Sequence, residues 1–483
     1  MLFSSLTFLY YFLPVTLFLY LIVPKCMKNG LLLIASLFFY AWGEPTYVLI
    51  MIVSIIVGYI AGRLIETFCH IGYSSYILAG AILIHLGCFV YFKYTDFILE
   101  NVNRFVGTEF ELLRIALPIG ISFYTFQILS YEIDVYRGKV KAQKNLILLA
   151  TYVTMFPQLI AGPIVRYEDI EHELEERQGL SLKAVLKGNE IAINNAAEGI
   201  CRFTVGLGKK VLIANYLGEL CEIVKESSQH SVCYFWLYAI AFTLHIYYDF
   251  SGYSDMAIGL GRLFGFHFLE NFNYPYISKS VTEFWRRWHM SLGQWFRDYV
   301  YIPLGGNRCN TVRWFLNIGI VWLLTGLWHG AQWNFALWGI YFAAFLVIEK
   351  ILVKHLGNRI KEVLRGVRWL QHLYLLLVVL IGFVLFNASD LVEAGIYIGG
   401  MFGVGNYPWM TQECLYYGKS YLLTIIFAAI GATPVVRMTV EKLKNIFGKK
   451  LEIIRCIAIL LIWILATACL VDGSFNPFLY FRF

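Results

Sequence analysis

The sequence predicts an all-α membrane protein, a polytopic bundle of transmembrane helices. Of its 483 residues, 59% are hydrophobic and only 15% carry a charge, whereas a soluble domain averages about a quarter charged residues. Apolar runs of about 20 residues, enough to cross a bilayer as a helix, recur along the chain. Because a backbone in lipid must satisfy its hydrogen bonds internally, helices are the expected spanning elements. No repeat and no long Ser/Pro/Gly-rich linker divides the chain, so we expect one membrane-embedded domain over residues 1–483.

Six spans are predicted in the first third of the chain, and the charges between them predict an orientation. Basic residues follow the first, third and fifth spans, at Lys25 and Lys28, at Arg63 and in RGKVKAQK (137–144). Since basic loops stay cytoplasmic, we expect the N-terminus outside the cytoplasm. The spans lie near residues 5–24, 30–42, 46–62, 75–92, 117–136 and 146–164.

The C-terminal part alternates in the same way. Two basic segments, 350–368 and 437–450, are expected on the cytoplasmic side, which places the C-terminus outside. The middle of the chain, 165–348, is expected to cross about four times, with additional re-entrant pieces. The last spans lie near residues 370–387, 419–436 and 456–471.

The segment LTGLWHGAQWN places His329 inside an apolar run. Imidazole titrates near neutrality and can take a proton from an alcohol, so His329 is a candidate catalytic base. The alternative is a packing histidine that is hydrogen-bonded to a nearby carbonyl. Small residues beside it would let a neighbouring helix or a thin ligand approach the ring. At spacings of three and four, one helix face would carry Trp322, Thr325, Gly326, His329 and Trp333.

A second segment, SVTEFWRRWHMSLGQWFRDYVYIPLGGNR (280–308), carries too many charges for a spanning helix. A Ser-x-x-Glu start at Ser280 predicts a capped helix, and its apolar side suits a helix that lies at the membrane interface or dips into the bilayer until IPLGGNR breaks it. Arg286 and Arg287 are candidates to bind anionic groups, and His289 is a candidate second catalytic histidine that faces a cavity. Alternatively, the arginines contact lipid phosphates and His289 is interfacial.

Two carboxylates, Asp249 and Asp255, fall in the otherwise apolar YYDFSGYSDMAIGLG. Buried acids must be paired or neutral, so they either orient a catalytic histidine, pair with the arginines at 286–287, or belong to a structural polar network. The chain contains no HExxH, no P-loop and no GxSxG. Zinc hydrolysis and phosphoryl transfer are therefore poorly supported, and no metal site is predicted.

Two histidine motifs together resemble the membrane-bound O-acyltransferase (MBOAT) family. They are WRRWHMSLGQWFRDYVYIPLGGNR and, about forty residues after its start, LTGLWHGAQWNFALWG. MLFSSLTFLYYFLPV, YYDFSGYSDMAIGLGRLFG and FPQLIAGPIVR resemble its bacterial alginate O-acetyltransferase branch, and a D-alanyl-transferring branch shares the same core. The likeness covers nearly the whole chain.

The resemblance implies about eleven spanning helices, with re-entrant ones, around a central tunnel. It implies that His329 matches the catalytic histidine of the family and His289 the second motif histidine. It also implies a cytoplasmic acyl-thioester donor, most simply acetyl-CoA as a substrate with no bound cofactor. The acceptor would be a glycan, handled by an extracellular or membrane-anchored transferase partner.

These observations predict an O-acetyltransferase of the cell membrane, surrounded by lipid and without a nucleic-acid partner. His329 would deprotonate the acceptor hydroxyl. Tyr480 in the C-terminal FNPFLYFRF would relay the acyl group or dock a partner; alternatively, these aromatic residues only anchor the chain at the membrane interface. A transporter or flippase, or a non-catalytic scaffold of a polysaccharide-secretion complex, remains the alternative, although no inverted repeat is visible. The candidate donor-binding residues are Arg286, Arg287, Trp328 and Asn334.

Overall fold

The computed structural model describes residues 1–160, 162–177 and 179–473. It divides into two compact units. Unit 1 comprises Met1–Gly206 and Tyr253–Glu270, and unit 2 comprises Leu207–Gly252 and Asn271–Phe483. The described residues form helices and loops and no strand, which confirms the all-α prediction. That residues 1–483 form one domain stays a prediction.

Unit 1 contains the N-terminal helices. Several are shorter than the predicted spans, because loops and prolines interrupt the apolar runs. The predicted span at 146–164, for example, ends at Thr154, and a one-turn helix with Pro157 in its first turn follows it. The helices are α1 (Leu13–Ile22), α2 (Lys28–Ala41), α3 (Val48–Thr67), α4 (Ser74–Val106), α5 (Ile121–Tyr136), α6 (Leu146–Thr154), α7 (Phe156–Leu159), α8 (Tyr167–Glu175), α9 (Leu182–Leu186) and α10 (Glu190–Gly208).

Unit 2 contains most of the C-terminal half. Its longest helices are α12, which also supplies residues 253–264 to unit 1, and α16. The helices are α11 (Asn215–Glu226), α12 (Val232–Phe264), α13 (Val281–Arg287), α14 (Met290–Phe296), α15 (Thr311–His329), α16 (Trp333–Gly366), α17 (Arg368–Asn387), α18 (Leu391–Met401), α19 (Gln412–Ser420), α20 (Leu422–Gly431), α21 (Val435–Phe447) and α22 (Lys449–Val471).

Six of the described helices are long and apolar enough to cross a membrane, or seven if the bent pair α19–α20 is one span. They confirm the spans predicted near 46–62, 75–92, 370–387 and 456–471, while the span predicted near 419–436 falls on the pair, which bends by 52°. The total of about eleven crossings stays a prediction. The six are Val48–Thr67, Ser74–Val106, Thr311–His329, Trp333–His355, Arg368–Asn387 and Lys450–Val471.

The two carboxylates of α12 have cationic partners in separate parts of the chain. In unit 2, Asp249 Oδ1 lies 2.6 Å from Lys210 Nζ, and both side chains are buried. In unit 1, Asp255 Oδ1 accepts a hydrogen bond of 2.9 Å from Arg202 Nη2. Of the roles that the sequence left open, these contacts favour structural polar networks over a pairing with the arginines at 286–287.

Candidate active site

His289 stands at a break between two short helices of unit 2. Ser280 Oγ caps α13 by accepting the Glu283 N–H at 3.0 Å, as predicted. However, α13 ends at Arg287 and α14 begins at Met290, so the single helix expected up to IPLGGNR is wrong. Between them the His289 backbone has φ +44°, a left-handed conformation that is uncommon outside glycine.

The loop that precedes α13 explains this break. The Asn271 carbonyl accepts the Met290 N–H at 3.0 Å, and the Asn273 N–H donates to the Arg287 carbonyl at 2.9 Å. These backbone groups therefore find their partners outside any helix. The sequence gives no local sign of the break, because the partners lie well before it in the chain.

The His289 ring is buried and held on two sides. Its Nδ1 lies 3.1 Å from Asn271 Oδ1, and the ring packs edge-on against Phe250 at 4.6 Å between centroids. Burial lowers the pKa of His289 to about 3, so the imidazole is neutral at physiological pH. Among the described residues, its Nε2 has no hydrogen-bond partner.

His329 is the last residue of α15, beside the hairpin turn into α16. Its ring lies edge-on to Trp338 and Phe386, with centroid separations of 5.3 and 5.2 Å. It is almost completely buried. The predicted helix face is therefore interrupted: Trp333 belongs to the next helix, because the chain becomes extended at Gly330 and α15 ends.

Two glycines allow α16 to lie directly against α15. A Cβ at Gly326 would be 2.2 Å from the Phe335 carbonyl oxygen, and one at Gly330 would be 2.1 Å from the Phe335 ring. The small residues predicted beside His329 thus admit the neighbouring helix. The space next to the glycines is filled by protein, so a ligand must reach His329 from another side.

A cavity of about 610 Å³ in unit 2 provides that side and brings both histidines together. His289 and His329 line it, as do Trp322 and Thr325 of the predicted face. The α15 residues that line the cavity follow spacings of three and four, as one side of a helix requires. They are Ile318, Val321, Trp322, Thr325 and His329.

Cationic side chains line the same cavity, and one of them, Lys350, lies far from His329. Lys350 lies nearly five turns after Trp333 on α16, about 25 Å along the axis. The contact of 3.2 Å between Lys354 Nζ and Thr311 Oγ1 places this part of α16 beside the first residue of α15. Arg286 and Arg297 also line the cavity. The cavity therefore extends from Lys350, near the start of α15, to His329 at its last residue.

The other predicted donor-binding residues have different surroundings. Arg287 is not among the lining residues; it binds Glu283 Oε1 at 3.0 Å and donates to the Asn273 carbonyl. Asn334 is buried and donates to the Ala388 carbonyl at 2.8 Å. Trp328 lies between the histidines, with centroids 4.9 Å from His329 and 6.1 Å from His289.

Sequence reasoning missed Asn271, Arg297 and Lys350. Arg297 and Lys350 were visible as charges beside apolar runs, but only the antiparallel packing of α15 and α16 brings Lys350 to the cavity. Asn271 carried no local signal. No three His, Cys, Asp or Glu side chains gather as a metal site in the part of the chain that the structure describes.

Comparison with known proteins agrees with this arrangement. A sequence model of the membrane-bound O-acyltransferase family matches residues 141–358, the stretch that contains both histidines. The probable alginate O-acetylase AlgI of Azotobacter vinelandii is 37% identical, with 100% of each chain covered. The peptidoglycan O-acetyltransferase of Helicobacter pylori is 33% identical over 72% of this chain and 70% of its own.

A more distant relative is the teichoic acid D-alanyltransferase of Bacillus subtilis, which is 29% identical over 56% of this chain and 69% of its own. The order of these similarities confirms the resemblance to the alginate branch, with the D-alanyl branch further away. These similarities, together with the helical membrane fold and the cavity that both histidines line, lead to one conclusion. The chain belongs to the membrane-bound O-acyltransferase family and is an O-acyltransferase.

Proposed function

We propose that the protein transfers an acetyl group from a cytoplasmic thioester, acetyl-CoA, to O-acetylate a polysaccharide outside the cell membrane. The alginate and peptidoglycan relatives support acetyl as the group and a polysaccharide as the acceptor. The observation that carries the proposal is one cavity that is lined both by cationic side chains, among them Lys350 near the start of α15, and by His329 at the end of α15.

The polarity of this cavity suits a long donor with phosphates at one end. Arg286, Arg297 and Lys350 would bind the phosphates of the donor, because guanidinium and ammonium groups form strong charge-assisted hydrogen bonds with them. Lys350 also begins the basic segment 350–368, which is expected on the cytoplasmic side. The donor would therefore enter from the cytoplasm with its thioester directed toward His329.

At the other end, His329 acts as the base. It takes the proton of the acceptor hydroxyl as that oxygen bonds to the thioester carbon. The carbon–sulfur bond then breaks, and the thiolate takes the proton back from the imidazolium. A thioester is already activated, so the residues contribute mainly orientation and a base. The aromatic walls around Trp322 exclude water, which would otherwise hydrolyse the donor.

Acetylation outside the cell requires a second protein in this proposal. A secreted or membrane-anchored transferase would receive the acetyl group and act on the glycan. The C-terminal segment that contains Tyr480, which lies outside the described residues, would dock this partner or relay the group. In this proposal both termini would lie outside the cytoplasm, as the positive-inside rule predicts.

The deciding experiment supplies purified protein with labelled acetyl-CoA, alone and with its transferase partner. Thioester loss and acyl transfer are followed in the wild type and in His329→Ala. We expect kcat to fall by about 10² to 10⁴ in the variant, as for loss of a general base. His245→Gln is the matched control, because His245 is equally buried in unit 2 but binds the Ala214 carbonyl at 2.7 Å instead of lining the cavity.

The outcomes separate the alternatives. Full activity of His329→Ala would exclude this histidine as the base. No turnover by the wild type, even with its partner, would favour a flippase or a scaffold. Equal losses in His329→Ala and His245→Gln would indicate that the variants had misfolded.

A further inference from the structure

The hydrogen bonds around Asn271 allow only one orientation of its side-chain amide. Its Oδ1 lies 3.3 Å from the Ser291 backbone nitrogen and 3.0 Å from Ser291 Oγ. A backbone N–H can only donate, so the atom that faces it must be the oxygen of the amide. Rotating the amide would set two N–H donors against each other.

This orientation fixes the proton of His289. The same Asn271 Oδ1 lies 3.1 Å from His289 Nδ1. Because this oxygen is an acceptor, Nδ1 must carry the hydrogen, and the lone pair of the neutral ring is on Nε2. Nε2 is buried and has no hydrogen-bond partner among the described residues, and the ring to which it belongs lines the cavity.

The backbone supports the same assignment. His289 keeps its left-handed conformation because the Asn271 carbonyl holds Met290, the next residue along the chain. Strained residues of this kind persist where surrounding contacts over-determine them, and they are common at functional sites. Asn271 thus binds the histidine segment twice, once through its backbone and once through its side chain.

We infer that Asn271 is a positioning residue: it holds His289 as the Nδ1–H tautomer, so that Nε2 meets the substrate as a hydrogen-bond acceptor. This inference rests on the proposed function. Only a donor can satisfy Nε2, so the substrate group that lies against it carries an O–H or an N–H. In the proposed reaction that group is a hydroxyl of the acceptor or an amide of the thioester donor. His329 retains the proton transfer.

The charged and titratable groups around His289 determine how readily its ring is protonated. His329, Arg286, Arg297 and Lys350 line the same cavity, and the rings of Phe250 and Trp328 pack against the imidazole. Burial opposes protonation of His289. A carboxylate at position 271 would favour it, because an opposite charge in contact typically raises a histidine pKa by about one unit or more.

The first test reads the tautomer without using activity. The full chain, labelled with ¹⁵N-histidine in lipid vesicles, is measured by solid-state NMR, and His289→Gln identifies the His289 signals. We expect a protonated Nδ1 and a bare Nε2 at neutral pH, and a mixture of tautomers in Asn271→Ala. A protonated Nε2 with a bare Nδ1 in the wild type would overturn the inference, whatever the enzyme does.

The second test uses acetyl-CoA as the donor and an alginate oligosaccharide as the acceptor, with the transferase partner present. Asn271→Ala should lower kcat/KM about tenfold or more; a rise in KM for the oligosaccharide identifies an O–H partner, and a rise for acetyl-CoA an N–H partner. In Asn271→Asp the ¹⁵N signals of His289 should show protonation at a pH about one unit or more above that of the wild type, because the carboxylate stabilises the imidazolium.

The matched control is Asn317→Asp, a buried asparagine of α15 that binds the Leu304 carbonyl and does not line the cavity. In this variant the NMR titration of His289 should keep the wild-type midpoint. Unchanged kinetics and midpoint in both Asn271 variants would overturn the inference. Wild-type protein that shows the expected tautomer but transfers no acetyl group, even with its partner, would overturn the proposed function instead.

Discussion

Lys210 and Asp249 form an ion pair of 2.6 Å between Nζ and Oδ1, with each side chain only 1% exposed. Removing one partner leaves the other charge buried, which typically costs about 3–5 kcal/mol. We therefore expect Asp249→Ala to lower the thermal unfolding midpoint of the purified protein strongly. Glu441→Ala breaks the exposed pair Arg437–Glu441 of α21 and should cost less than about 1 kcal/mol. Similar midpoints for both variants would contradict this prediction.

The close contact of α15 with α16 predicts that two glycines of α15 respond differently to substitution by alanine. Gly326→Ala would place a Cβ 2.2 Å from the Phe335 carbonyl oxygen, so the helices must separate and activity should fall at least tenfold. Gly319→Ala meets nothing within 4 Å and should be neutral or slightly stabilising, because alanine favours the helix. Unfolding midpoints and acetyl-transfer rates check both; an active, stable Gly326→Ala would contradict the tight packing.

The cationic end of the cavity predicts a loss of donor affinity. Arg286→Gln and Lys350→Gln should each raise KM for acetyl-CoA about tenfold, which corresponds to about 1.4 kcal/mol, with a smaller change in kcat. Arg287→Gln, whose guanidinium binds Glu283, should change KM little. Steady-state kinetics at several acetyl-CoA concentrations distinguish them. A larger effect of Arg287 than of Arg286 would restore the sequence-based role of Arg287.

The aromatic wall predicts a change in the fate of the thioester. Trp322 lines the cavity and packs against Trp285 at 4.7 Å between ring centroids. Trp322→Ala should admit water, so that hydrolysis of acetyl-CoA rises several-fold relative to transfer. Free thiol and acetylated product are measured in parallel. Trp369→Ala, at an exposed tryptophan of α17, should leave the ratio unchanged; a constant ratio in both variants would argue against a water-excluding role.

The C-terminal segment predicts a separation of folding from acetylation. Deleting residues 478–483 should abolish extracellular acetylation, while gel filtration in detergent still shows a folded protein. Tyr480→Phe then distinguishes the two suggested roles, because it removes the hydroxyl that a relay needs and keeps an aromatic ring for docking. Unchanged acetylation after the deletion would remove this segment from the proposal.

Hydrophobicity and spacing sufficed for part of the fold. Long apolar runs predicted α3, α4, α17 and the span within α22, because burial in lipid selects such runs directly. They could not predict the break at His289, where a histidine adopts a backbone conformation that tertiary hydrogen bonds impose. Nor could spacing show that α15 ends at His329, since the next helix begins only a few residues later and the run stays apolar.

The candidate site also has residues that the sequence predicted and residues that it could not predict. Both histidines and Arg286 could be predicted from their motifs, and the structure places them around one cavity. Asn271 was not, because it acts on His289 across a loop and an amide is unremarkable in sequence. The sequence placed Lys350 only among the basic residues of a loop. Its separation from His329 along the chain gave no sign that both residues line one cavity.

The antiparallel packing of α15 and α16 also means that the proposed cavity would favour a long donor over a short one. Lys350, which would anchor the donor, and His329, the proposed base, line the cavity toward opposite ends of this helix pair, and α16 rises about 25 Å from Trp333 to Lys350. Gly326 and Gly330 allow the close contact that holds the two helices together. In the proposed reaction, a compact acyl phosphate would be too short to contact both residues at once. Selection of the donor then depends on reach as much as on chemistry, and no contact with the acetyl group itself is needed for it.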